Sequence, residues 1–162
     1  MLPINMRMFK FIKLSGIAVL SMFVLTACTP GNSQPRTEKA SIVVYKTPTC
    51  GCCKKWVTHL EEAGFKVKTT DLDDLSDIKA QFGVPQNLRS CHTAVVDGYV
   101  VEGHVPADLV QKMLTEKPEI AGISVPGMPI GSPGMEVEGR PADRYKVMAF
   151  LKDGRSKVFA ER

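Results

Sequence analysis

Apolar positions along this chain alternate between a period of two and a helical period, and their order predicts an α/β fold. Ser41-Ile42-Val43-Val44-Tyr45 is a short β-branched run suited to a buried strand, and Thr47-Pro48 ends it. From Lys54 to Ala63 the apolar residues Trp56, Val57, Leu60 and Ala63 fall on one helical face, with Gly64 where a C-cap belongs. Phe65 to Thr69 alternates like a strand, and Leu75 to Phe82 carries a short helical pattern closed by Gly83. Thr93-Ala94-Val95-Val96 and Tyr99-Val100-Val101-Glu102 flank Asp97-Gly98, a pair favoured in two-residue hairpin turns, so these strands are expected to be antiparallel neighbours. Pro106 stands where a first helical residue would, ahead of the stripe Leu109, Val110, Met113 and Leu114. The predicted order is βαβαββα. Beyond it, Ile120 to Arg140 is rich in Gly and Pro, and Tyr145–Phe150 and Ser156–Phe159 around Asp153-Gly154 predict a terminal hairpin.

The first 27 residues follow neither pattern. Arg7, Lys10 and Lys13 precede an apolar run from Leu14 to Thr26, about 13 residues against the roughly 20 a membrane span needs, so residues 1–27 read as an export signal. Met6 or Met8 would serve as the start as well as Met1. The signal ends in Leu25-Thr26-Ala27-Cys28, which resembles the lipobox of bacterial lipoproteins. That resemblance implies acylation of Cys28, a stable lipid anchor, and in a Gram-negative cell an outer-membrane protein facing the periplasm. Residues 28–40 have the Pro, Gly, Ser and charged composition of a flexible tether, leaving 41–162 as one domain. Of the 21 Lys and Arg, three lie in the signal, and the remaining 18 face 17 Asp and Glu. The mature domain is nearly neutral, so no basic surface argues for nucleic acid, and membrane contact is expected only through the anchor.

The chemistry is concentrated in cysteine. Cys50-Gly51-Cys52-Cys53 opens the first helix, whose unpaired N–H groups and positive dipole end favour thiolate, and Lys54 and Lys55 add positive charge. The element order with a C-x-x-C pair at that helix mouth resembles the thioredoxin fold over about residues 41–115. Where thioredoxins carry a loop with a cis-proline facing the pair, this chain has Cys91-His92. Four soft sulfurs and an imidazole suit copper(I) or zinc. An oxidising compartment favours copper, and five donors, one more than a tetrahedral ion needs, point to a polynuclear site with Cys50, Cys52, Cys53, Cys91 and His92 as ligands. His104, Met128 and Met135 are further candidates, the methionines because thioether sulfur is soft, although methionine more often fills packing gaps. His59 reads as a solvated or packing residue and Trp56 as core.

Several separated motifs, Thr47-Pro48-Thr49-Cys50-Gly51-Cys52-Cys53, Cys91-His92, Glu102-Gly103-His104-Val105-Pro106 and Gly131-Ser132-Pro133-Gly134-Met135-Glu136, together resemble the CopG-type family of periplasmic copper-resistance proteins. The resemblance implies a thioredoxin-like fold, copper(I) held by cysteine in a multinuclear cluster and a copper oxidoreductase role in copper resistance; the expected partners are copper ions and periplasmic proteins that donate or receive them. Spacing alone establishes only a soft-metal or redox site. Three alternatives stay open: a thiol–disulfide oxidoreductase with Cys50 as nucleophile and Cys53 as resolving partner, a zinc-stabilised interaction module, and a disulfide framework pairing Cys50 with Cys53 while Cys91 is free or joined to Cys52.

Overall fold

The structure, a computed structural model, describes residues 40–162; the export signal, Cys28 and nearly all of the tether lie outside the described residues. The elements are β1 (Ser41–Lys46), α1 (Gly51–Glu62), β2 (Lys66–Asp71), α2 (Ser76–Gln81), β3 (Thr93–Val96), β4 (Tyr99–Glu102), α3 (Ala107–Glu116), β5 (Gly122–Ser124), β6 (Lys146–Phe150) and β7 (Ser156–Glu161), with a 3-10 turn at Gln86–Leu88. The expected βαβαββα order is observed. The strands form one sheet in the order β2-β1-β3-β4-β5-β6-β7.

Connection length sets the directions. β1 and β2 run parallel across the α1 crossover, and β4 and β5 run parallel across α3, whereas β3 and β4 are antiparallel through the two-residue loop Asp97-Gly98. Both loop residues have positive φ, 47° and 81°, the backbone twist that a tight hairpin requires. β5 was not predicted. It is three residues long and embedded in the Gly/Pro-rich stretch, where no periodicity marks it, but the α3 crossover returns the chain to the sheet there. β6 and β7 form the expected hairpin.

Alternation places the core on both faces of the sheet. Ile42 and Val44 of β1, Ala94 and Val96 of β3 and Val101 of β4 pack with Trp56, Val57 and Leu60 of α1 and Leu109, Val110 and Met113 of α3. On the other face Val100 of β4 packs with Val84, Leu88 and Phe150. Among the described residues no helix is long and apolar enough to cross a membrane.

Candidate metal centre

The helix that carries the cysteines starts earlier than its apolar stripe suggests. Cys50 is its N-cap, donating its backbone N–H to Thr47 (3.2 Å) and accepting that of Cys53 on its Sγ (3.3 Å), so Cys52 and Cys53 belong to the first turn. The chain between the 3-10 turn and β3 brings Cys91 to the same place. The Sγ atoms of Cys50, Cys52, Cys53 and Cys91 all lie within 4.8 Å of one another, with Cys50 to Cys52 at 3.5 Å and Cys53 to Cys91 at 3.7 Å. Cys50 and Cys53 are joined as a disulfide, while Cys52 and Cys91 are free. For this pair the structure therefore holds the oxidised form anticipated as an alternative, and two-electron reduction would give four thiols in one cluster.

Cys91 also belongs to a second group of donors. His92 Nδ1 lies 3.2 Å from its Sγ and His104 Nε2 lies 3.0 Å from it. His104 Nδ1 donates to the carbonyl of Pro133 at 2.8 Å, which leaves a lone pair on Nε2 facing the sulfur. His92 is fully buried, stacked 4.2 Å from Trp56 and edge-on to His104 at 4.9 Å. Burial pushes the His92 pKa well below 6.5, helped by His104 and Lys79, and burial lowers that of His104 as well. Both imidazoles are thus neutral, the form that ligates metal. Burial and the neighbouring Cys52 push the Cys91 thiol up to about 12, so a cation arriving there must displace a proton. His92 Nε2 is a buried polar atom with no hydrogen-bond partner among the described residues.

The Gly/Pro-rich loop closes over this region. Gly134, at φ +85°, sits so near α1 that a Cβ would lie 2.8 Å from the Cys52 carbonyl oxygen and 2.9 Å from the Trp56 nitrogen, so only glycine fits. Met135 follows it and is half-buried, whereas Met128 is 53 % exposed. His59 has a packing role: its Nε2 accepts the Ala107 N–H (3.0 Å) at the start of α3, where Pro106 offers no capping side chain. Trp56 is core as expected, but it is also a wall of the site, and its Nε1 donates to the Val105 carbonyl at 2.8 Å.

Sequence reasoning assigned no role to Lys79, Thr93 or Glu102, which form a buried polar network behind Cys91-His92. Lys79 Nζ donates to Glu102 Oε1 (2.6 Å) and Thr93 Oγ1 (3.0 Å), and Thr93 Oγ1 donates to Glu102 Oε2 (2.7 Å). The available signal was a Glu ending the otherwise apolar run Tyr99-Val100-Val101.

The comparisons with known proteins agree with this geometry. Residues 88–135, which include Cys91, His92 and His104, match a family described as "Protein of unknown function, DUF411". A solved structure titled "Copper resistance protein copG- Form 2" shares 47% identity with the chain, covers 77% of it and 99% of its own length, and superposes with a TM-score of 0.73. The chain belongs to the CopG copper-resistance family. A structure titled "Copper resistance protein copG- Form 1" matches at the same 47% identity, covering 77% of this chain and 98% of its own, with a TM-score of 0.72. No curated protein matches. Membership in the CopG family and a cysteine cluster capable of holding a metal fit a copper-related role.

Proposed function

We propose that the protein takes up copper(I) on the thiolates of Cys50, Cys52, Cys53 and Cys91, in a multinuclear site completed by His92 and His104, and acts in copper resistance. The observation that carries this reading is the convergence of four sulfurs within 4.8 Å, one of them shared with two neutral imidazoles. Thiolate donors select soft cations, and sulfurs this close bridge ions readily. Met135 and Met128 are thioether candidates, the first half-buried in the loop that packs on α1, the second exposed.

The Cys50–Cys53 disulfide favours a second reading, a thiol–disulfide oxidoreductase. One double variant separates the two. In Cys52→Ser/Cys91→Ser, which keeps only the Cys50 and Cys53 thiolates, copper(I) binding by the reduced protein is expected to weaken and to drop to at most one ion in competition with a chromophoric chelator without oxygen, while zinc does not displace copper(I) from the wild type. Disulfide-exchange turnover that survives in this variant, together with unchanged copper affinity, would establish the exchanger instead.

The lipobox-like Leu25-Thr26-Ala27-Cys28 supports attachment at the membrane surface on the periplasmic side. Labelled palmitate is expected in the wild-type protein and not in Cys28→Ser; equal labelling of both contradicts the anchor.

A further inference from the structure

Cys91 and His92 are adjacent in sequence, and the residues on either side of them are held by one carboxylate. Glu102 Oε1 accepts the backbone N–H of Ser90 at 2.7 Å, and Oε2 accepts the hydroxyl of Thr93 at 2.7 Å. The two oxygens of a single side chain thus grip both ends of the two-residue segment that presents a sulfur and an imidazole to the cluster. The same strand end supplies the other contacts: Gly103 N donates to the His92 carbonyl (3.0 Å), and a Cβ on Gly103 would lie 2.5 Å from Ser90 Oγ. The next residue is His104, whose Nε2 faces Cys91 Sγ.

The pair behind this grip is expensive by design. Lys79 and Glu102 are both buried, and a buried ion pair is often no more stabilising than two apolar residues of similar volume. Stability alone therefore does not account for it, whereas orientation does: Lys79 neutralises the carboxylate, leaving its oxygens fixed as acceptors for Ser90 and Thr93. Partners that orient metal ligands cost about 10- to 100-fold in metal affinity when removed.

We propose that Glu102, held by Lys79, is a positioning residue that fixes Cys91 and His92 against the other three sulfurs. It rests on the copper(I) reading for its effect on affinity, but not for its effect on the segment itself.

Two double variants isolate the grip, because both remove the buried charges. Lys79→Met/Glu102→Gln retains an acceptor for Ser90 and a donor or acceptor for Thr93, and Lys79→Met/Glu102→Leu retains only volume. With folding confirmed by circular dichroism, copper(I) affinity of the Gln variant is expected within about threefold of wild type, and that of the Leu variant about 10- to 100-fold lower. In the reduced, metal-free proteins, the alkylation rate of Cys91 relative to Cys52, mapped by mass spectrometry, is expected to match wild type in the Gln variant and to rise severalfold in the Leu variant. Equal affinity and equal alkylation ratios in the two folded variants would overturn the proposal. If the Leu variant does not fold, Thr93→Val, which releases one end of the grip at unchanged shape, decides by the same two measurements: a raised ratio supports the grip and a wild-type ratio overturns it. Failure of every protein, wild type included, to bind copper(I) would refute the copper reading, and the alkylation ratio would still decide the grip.

Discussion

Replacing Cys91 by Ser is expected to weaken copper(I) binding by more than the roughly 100-fold that loss of an outer partner costs, and by more than replacing Cys52. The reason is position. Cys91 Sγ is a member of the four-sulfur group and also the point on which both imidazoles converge, so its loss divides the site into three sulfurs on one helix end and two histidines without a sulfur. Loss of Cys52 leaves Cys50, Cys53, Cys91 and both imidazoles in place. Serine is close to cysteine in size and Cys91 is only half-buried, so the fold should persist. Competition against a chromophoric copper(I) chelator, on reduced protein without oxygen, measures both variants. A Cys91→Ser affinity within about threefold of wild type, or a larger loss for Cys52→Ser, would contradict this assignment.

Trp56→Ala is expected to be the most damaging single change to stability, costing about 3–5 kcal/mol. The indole is fully buried among Ile42, Val44, Ala94 and the residues of α3, and its removal leaves a cavity that a helix packed on a sheet cannot close. It also removes the donor to the Val105 carbonyl and the face on which the His92 ring lies. Trp56→Phe keeps an aromatic wall for His92 but leaves the Val105 carbonyl without its donor, so a smaller loss of about 1–3 kcal/mol is expected. Denaturant unfolding of the metal-free protein checks the order. A Trp56→Ala loss below about 1 kcal/mol would mean that the core closes around the gap.

Much of this arrangement was legible in the sequence, for identifiable reasons. Strands β1, β3 and β4 each have one face fully buried, so Ile42, Val44, Ala94, Val96 and Val101 recur at the spacing that reveals them. Asp97-Gly98 fixed a hairpin because positive φ at both positions tolerates few residues. Cysteine spacing pointed to the sulfurs that the fold brings together, and the Glu102-Gly103-His104 motif contained a histidine that proves to face Cys91. The illegible parts depend on contacts distant in sequence. β5 is too short for a period and exists because α3 carries the chain back to β4. Lys79 and Glu102, 23 residues apart, acquire their meaning only when the sheet buries both against Thr93 and the chain leading to Cys91.

The central claim is that the four cysteines hold copper(I) as a cluster rather than as a single ion. Counting copper per protein in the reduced, copper(I)-loaded chain, prepared without oxygen and freed of loosely bound metal, tests it most directly. The account predicts a ratio clearly above one that falls sharply in Cys91→Ser; a ratio at or below one, unchanged in that variant, would contradict it.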